Sequence, residues 1–408
     1  MRLRIVILIV ISLMMSCTDK PKKPDLEEGF WRVELNVMDG EVLPFNLNVS
    51  KTVDGNYKMQ IINAEEIIDV DEIKIMGDSI IMQTPVFEGY LAGKFSDKEI
   101  NGQFVKESLD RIVPFKAIYG EDKRFTTHNS GTKNISGIWE TYFSPDSENE
   151  YAGKGIFLQE DNHVTGTFRT TTGDYRYLDG VMDGDSLKIS AFDGAHAFLF
   201  MAKVTDSSMN GVFYSGNHFK EPFVAKRNDA FELPSPDSLT FINEGYEKLA
   251  FTFPDADGNQ VSLADDRFKD RVVVVQLMGT WCPNCLDETK FLVEYLKENK
   301  DKDLEIIGLA FESAKTKEKA FDGIERLTNR IGVSYPILLA QYGSYNKAKA
   351  QQKLPMLNHV LSYPTTIFID KQGKVRKIHT GFNGPATGNK FVEFKNDFDQ
   401  LITKLASE

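Results

Sequence analysis

The fold is decided by the stretch Val272-Val273-Val274-Val275-Gln276-Leu277, followed shortly by Trp281-Cys282-Pro283-Asn284-Cys285. The apolar run is typical of a buried parallel strand. Residues 288–299 carry apolar side chains at helical spacing and predict a helix. The two cysteines therefore lie at a strand-to-helix junction. Cys282 falls near the N-cap, and Pro283 takes the first helical position, where the missing N–H of proline costs nothing.

This position favours sulfur chemistry. A helix N-terminus stabilises negative charge, and the thiolate is the nucleophilic form of cysteine. We predict that Cys282 is the attacking sulfur with the lower pKa. Cys285, one turn inward, is predicted to resolve the mixed disulfide, which leaves the Cys282–Cys285 disulfide.

A structural zinc site is the alternative for two cysteines at this spacing. It needs two further thiolate or imidazole ligands. The chain has one other cysteine, Cys17, and six scattered histidines. The pattern therefore favours a redox pair, with no metal and no bound cofactor.

Length and charge limit the function further. A chain of 408 residues predicts two to four domains. A net charge of −12 argues against nucleic acid or an anionic membrane surface as the main partner.

The N-terminus predicts export. Arg2 and Arg4 precede a short apolar run, which is typical of a secretory signal. Because Cys17 follows a small residue, residues 1–17 resemble a bacterial lipoprotein signal peptide with Cys17 acylated after cleavage; a plain signal peptide and an uncleaved anchor are the alternatives. Residues 18–28 predict a flexible tether. Cys282 and Cys285 would then be the only free cysteines, in an envelope compartment where disulfides persist.

Residues 29–228 contain a tandem duplication. Four landmarks recur about 108 residues apart, at 29/137, 77/184, 101/210 and 114/222. Short strand-like runs separated by turn signals predict that residues 29–125 and 135–228 are two all-β domains, each a small barrel or sandwich. Trp31 and Trp139 are predicted to fill the core, with a ligand cavity as the alternative.

After this duplication the pattern changes. Pro234 and Pro236 mark a linker at residues 229–244. Residues 245–408 then alternate strands with helices, which predicts an α/β domain with a mixed sheet.

The motif around Cys282 and a second motif resemble a known superfamily. The second motif is Tyr363-Pro364-Thr365-Thr366-Ile367-Phe368-Ile369-Asp370. Together they resemble the thioredoxin superfamily, and most closely its envelope-anchored TlpA/ResA-like thiol-disulfide oxidoreductases. The resemblance covers about residues 245–408 and does not extend to the β domains.

The resemblance implies roles for several residues. Pro364 would be a cis-proline that faces the cysteine pair and holds a substrate backbone. Glu288 matches a functional glutamate that exchanges a proton with Cys285. Trp281, Pro283, Tyr363 and Pro364 would contact the substrate. The chain departs from thioredoxin at Gln276, where thioredoxin has a buried aspartate. Glu312 is a weaker candidate and is interpreted as a loop acid.

The sequence thus predicts a membrane-anchored thiol-disulfide oxidoreductase, facing the periplasm and attached through lipid on Cys17. It would act as a reductase on exported proteins with thiols or disulfides and take electrons from a membrane donor. A thiol peroxidase is one alternative, although Gly279 stands where peroxiredoxins carry Thr or Ser. The other is a ligand- or partner-binding β module with an accessory redox domain.

Overall fold

The computed structural model describes residues 25–408. The predicted signal peptide with Cys17, and most of the predicted tether, lie outside the described residues. Within residues 25–408, none of the helices combines the length and apolar character needed to cross a membrane.

The first β domain is a rolled, nine-stranded antiparallel sheet. Its strands are β1 (Gly29–Asn36), β2 (Val42–Lys51), β3 (Tyr57–Asn63), β4 (Glu66–Val70), β5 (Glu72–Met76), β6 (Ser79–Gln83), β7 (Tyr90–Phe95), β8 (Glu99–Lys106) and β9 (Arg111–Tyr119). β1 pairs with both β2 and β9, which brings the ends of the domain together. The edges are β4 and β5, neighbours in the chain. β4 pairs with β3 and so extends that end of the sheet.

The second β domain closes into a barrel. Its strands are β10 (Gly137–Phe143), β11 (Tyr151–Glu160), β12 (His163–Thr170), β13 (Gly173–Asp174), β14 (Leu178–Asp183), β15 (Ser186–Phe192), β16 (Ala197–Val204), β17 (Ser208–Ser215) and β18 (Phe219–Arg227). Pairing of β11 with β12, and of β10 with β18, completes a ring of eight strands. The short β13 lies outside the ring and pairs only with β12, so β12 and β13 form a projecting hairpin.

The two tryptophans of the duplication are core residues, as expected. Trp31 and Trp139 are both fully buried. In each copy the indole N–H donates to the carbonyl four residues earlier, Glu27 at 3.1 Å and Ile135 at 2.8 Å. Leu26, which lies within the predicted tether, is buried in the core of the first domain. The packed chain therefore begins before residue 29.

The C-terminal domain has the predicted α/β fold with a five-stranded mixed sheet in the order β23-β22-β21-β24-β25. Its elements, after a small hairpin of β19 (Thr252–Pro254) and β20 (Gln260–Ser262), are β21 (Val272–Met278), α1 (Pro283–Glu298), β22 (Leu304–Phe311), α2 (Lys317–Ile331), β23 (Ile337–Gln341), α3 (Lys347–Lys353), β24 (Thr365–Ile369), β25 (Val375–Thr380) and α4 (Asn389–Ser407). Every residue of the central strand β21 is buried, as its apolar run predicts.

The three domains pack on one another. Phe192 of the second domain stacks on Phe45 of the first, with ring centroids 4.3 Å apart. Val86 and Phe87 of the first domain and Ala195 of the second join the hydrophobic core cluster of the C-terminal domain. The β domains therefore pack directly against the α/β domain.

Candidate active site

The two cysteines lie where β21 gives way to α1. Cys282 is the N-cap of α1, and Pro283 is the first residue of the helix. Cys282 and Cys285 form a disulfide, with Cα atoms 5.2 Å apart. The backbone N–H of Cys285 donates to Cys282 Sγ at 3.2 Å. Cys282 is 7% exposed and Cys285 fully buried, so Cys282 is the sulfur nearer to solvent.

A cis-proline loop faces the disulfide. The Tyr363–Pro364 peptide bond is cis, as the resemblance implies. The carbonyl oxygen of Tyr363 lies 3.5 Å from Cys282 Sγ. The second sequence motif therefore meets the first in space, although about eighty residues separate them.

Glu288 is buried one turn beyond Cys285 on α1. Gln276 Nε2 donates to one oxygen of its carboxylate at 2.8 Å, and the Thr366 hydroxyl donates to the other. Burial raises the pKa of Glu288 to about 7, against the lowering effect of these two hydrogen bonds. The same Gln276 amide donates to the carbonyl of Cys285 at 3.3 Å. Gln276 therefore links Glu288 to the backbone of the cysteine motif.

Glu312 lies in the loop that follows β22, as interpreted, but it is buried and not exposed to solvent. Its side chain is buried, and both of its oxygens accept hydrogen bonds from Thr280, from the backbone N–H at 2.8 Å and from the hydroxyl at 2.7 Å. Burial raises its pKa to about 7. Glu312 follows β22 just as Thr280 follows β21. Because parallel strands bring their carboxyl ends to one edge, this spacing could have predicted the contact.

Trp281 forms one side of the site. Its indole N–H donates to the carbonyl of Phe311 at 2.9 Å. Its ring contacts those of Tyr345 and Tyr363, with centroids 5.2 and 5.8 Å away. A Cβ on Gly279 would lie 2.3 Å from the indole nitrogen, so glycine is required there for the ring to fold back.

The β12–β13 hairpin of the second domain contacts the site from the opposite side. Asn284, inside the cysteine motif, donates to the carbonyl of Asp174 at 3.2 Å. Ser362, two residues before the cis-proline, donates to the carbonyl of Thr172 at 2.8 Å. The backbone N–H of Gly384 donates to the Asp174 carboxylate at 2.6 Å. The hairpin thus touches three loops that surround the disulfide, and no local pattern in the sequence predicts this.

A buried arginine, two residues after the β12–β13 hairpin, joins the three domains. Arg176 of the second domain pairs with Asp287 on α1 and, at 2.5 Å, with Glu66 of the first domain. Asp193 lies 3.6 Å from the same guanidinium group. The charged cluster therefore lies two residues along the helix from Cys285.

Within residues 25–408, no group of three or more His, Cys, Asp or Glu side chains has a metal-binding arrangement. The reactive groups described at this site are the sulfurs of Cys282 and Cys285 and the buried carboxylates of Glu288 and Glu312.

Comparison with known proteins identifies the domain that holds this site. A family model described as Redoxin matches residues 244–393. Thioredoxin-like protein YneN of Bacillus subtilis (strain 168) is 29% identical over 161 residues, which cover 39% of this chain and 81% of that protein. Thiol-disulfide oxidoreductase ResA of the same organism is 26% identical over 140 residues, which cover 34% of this chain and 69% of that protein.

Among solved structures, a thiol:disulfide interchange protein of the thioredoxin family from Chlorobium tepidum TLS aligns with a TM-score of 0.30 and 19% identity. The alignment covers 40% of this chain and 98% of that one.

The C-terminal domain is a thiol-disulfide oxidoreductase domain. This domain is similar to the TlpA/ResA-like thiol-disulfide oxidoreductases of the thioredoxin superfamily, as its motifs indicated.

Proposed function

We propose that this protein is an envelope thiol-disulfide oxidoreductase that reduces disulfides of exported proteins. The observation that carries the proposal is the position of Cys282. Its sulfur caps α1, accepts the N–H of Cys285 and lies beside the carbonyl that precedes the cis-proline. A thiolate at this position is stabilised by the helix terminus and lies next to backbone that can hold a client.

The reduced protein acts in two exchange steps. The Cys282 thiolate attacks one sulfur of the client disulfide, forms a mixed disulfide and releases the other client sulfur as a thiolate. Cys285 then loses its proton and attacks the Cys282 sulfur, which forms the Cys282–Cys285 disulfide and releases the second client thiolate. A dithiol donor in the membrane restores the pair by supplying two electrons and two protons.

Glu288 accepts the proton that Cys285 loses. Its pKa of about 7 suits a group that must take up and return a proton near neutral pH. Because Gln276 is a neutral amide, it cannot perform this transfer, and it orients the Glu288 carboxylate instead. The Cys282 sulfur is bordered on the client side by four residues: Trp281, Pro283, Tyr363 and Pro364.

The proposed location is the outer face of a membrane, with lipid on Cys17 as the anchor. The export pattern of residues 1–17 supports this location, and disulfide exchange is useful in that compartment. In cell fractions, Cys17→Ser should move the protein from the membrane to the soluble fraction.

A trapping experiment tests the function. In cells, Cys285→Ser should accumulate mixed disulfides through Cys282, because the resolving step is blocked while the attack proceeds. These adducts should disappear on reduction and reveal the client proteins by mass spectrometry. Cys282→Ser is the matched control and should capture none. Equal capture by both variants would show that the attacking sulfur is assigned wrongly, and no capture by either would contradict the proposed reaction.

A further inference from the structure

A cavity opens beside the cysteine motif, between the first β domain and the C-terminal domain. Its volume is about 640 Å³, within the range of about 300–1,000 Å³ that is typical of ligand sites. Thr280 and Trp281, the two residues before Cys282, lie on its wall together with Glu312. The cavity therefore ends at the loop that presents the attacking sulfur.

The first β domain forms the opposite wall. Val86 and Glu88, before β7, and Ser108, between β8 and β9, line the cavity. Ser108 Oγ approaches Ser313 Oγ of the C-terminal domain to 3.4 Å. Glu88 holds this wall in shape, since its carboxylate accepts the backbone N–H of Ser108 at 3.2 Å. A redox domain alone would lack this wall.

The loops around the disulfide thus face two different β domains. The β12–β13 hairpin covers the side of Asn284 and Gly384, whereas the cavity lies on the side of Trp281. Cys282 is only 7% exposed, so little of this residue is open to the flat surface of a folded protein. A single extended segment of polypeptide can enter through the cavity.

The charges on the cavity wall favour a basic segment. Its three basic side chains are each paired with a carboxylate of the first domain: Lys315 with Asp110 at 2.8 Å, Lys319 with Glu107 at 3.5 Å and Arg326 with Glu72 at 2.7 Å. Glu88 and Asp322 also line the wall, and among residues 25–408 neither lies within ion-pair distance of a basic side chain, although the buried Lys106 interacts electrostatically with Glu88. Because the carboxylates of Glu88 and Asp322 are not neutralised by an ion pair, the cavity wall is electronegative.

We propose that this cavity is the client-binding site, and that its client is an extended segment with Lys or Arg next to the reactive cysteine. The inference rests on the proposed reductase function and assigns the first β domain to client recognition. The segment lies between Ser108 and Trp281, with its basic side chains near Glu88 and Asp322 and its disulfide at Cys282.

The test compares three disulfides reduced by the full, pre-reduced chain at low ionic strength. Two are disulfide-linked dimers of the peptides Ala-Lys-Cys-Lys-Ala and Ala-Glu-Cys-Glu-Ala, and the third is bis(2-hydroxyethyl) disulfide. Acid-quenched chromatography gives the second-order rate constants. We expect the lysine peptide to react at least about fivefold faster than the glutamate peptide.

Filling the cavity should slow the reduction of the two peptide disulfides but not that of the small reagent. Ser108→Trp should slow both peptides about tenfold and leave the rate for bis(2-hydroxyethyl) disulfide within about twofold, because that reagent is small enough to pass. Ser96→Trp, exposed in the turn between β7 and β8, is the matched control and should leave all three rates unchanged. If Ser108→Trp leaves the peptide rates unchanged, or slows all three substrates equally, the inference is wrong.

A charge variant tests the site without adding bulk. Glu88→Gln with Asp322→Asn should reduce the lysine preference to about twofold or less. Glu148→Gln with Asp161→Asn removes the same charge from exposed positions of the second domain and should preserve the preference. Equal losses in both double variants would assign the preference to overall charge and overturn the inference. If the wild type reduces none of the three disulfides, the proposed function itself fails.

Discussion

At the scale of single residues, the buried carboxylate of Glu288 sets the expected pH dependence. Burial raises its pKa to about 7, so at pH 6 the group is mostly protonated and cannot accept a proton from Cys285. At pH 8 it is ionised and can. The resolving step should therefore accelerate as pH rises through about 7.

Glu288→Gln tests this assignment. The amide still fits between Gln276 and the Thr366 hydroxyl, which can rotate to accept, so the fold should persist. Single-turnover exchange at pH 8 should slow about 10- to 100-fold and lose its inflection near pH 7. Glu294→Gln, exposed on the same helix, should behave as wild type. An inflection that survives in Glu288→Gln would assign it to another group.

The same pKa shift affects stability. A carboxyl whose pKa is raised from 4.5 to about 7 binds its proton more tightly in the folded state. The free energy of unfolding therefore falls as pH rises from about 4.5 to about 7, by up to about 1.4 kcal/mol per pH unit, and is constant above. Glu312 acts in the same direction.

At the scale of elements, the β12–β13 hairpin controls one side of the disulfide. Gly173 lies in this hairpin with φ at +144°, and a Cβ there would lie 2.2 Å from Asn284 Nδ2 and 3.2 Å from the carbonyl oxygen of Phe382. Only glycine allows so close an approach to the α/β domain. Any larger residue should push the hairpin away.

Gly173→Ala should therefore expose the site. In the reduced protein we expect Cys282 to be alkylated by iodoacetamide several-fold, about three- to tenfold, faster than in the wild type, because the loops around it lose their cover. Gly184→Ala is a suitable control, since Gly184 also has a positive φ in the same barrel and a Cβ there would meet only Asn129, at 3.7 Å. Unchanged alkylation in Gly173→Ala would mean that the hairpin does not limit access.

The elements also show what sequence can predict. The cysteine motif, the strand β21 and the start of α1 follow from local patterns, because an apolar run, an N-cap and Pro283 act over a few residues. The cis state of Pro364 came from resemblance. The contact of Glu312 with Thr280 follows from the order of the parallel strands. The docking of Gly173 depends on residues far along the chain and appears in no local pattern.

At the scale of the whole molecule, Arg176 connects the three domains through ion pairs. It is the only cation among the described residues that pairs with carboxylates of all three domains: Glu66, Asp193 and Asp287. Its side chain is 6% exposed. Removing one member of a buried ion cluster leaves the others without compensation, which typically costs about 3–5 kcal/mol.

Arg176→Met should thus destabilise the protein strongly. We expect a loss of about 3–5 kcal/mol in urea unfolding, since methionine keeps the apolar stem but leaves three carboxylates in close proximity. Arg330→Met breaks a more exposed pair with Asp71 and should cost about 1 kcal/mol or less. Similar losses in the two variants would show that the cluster does not hold the domains together.

The closed ring of the second barrel has a consequence for variation among related chains. Eight strands pair with one another around the ring, whereas Gly173–Asp174 pairs only with the end of β12 in the sheet. Insertions or deletions there leave the backbone pairing of the ring intact. A change in the length of this hairpin would therefore alter its contacts with Asn284, Ser362 and Gly384 while the paired ring stays the same.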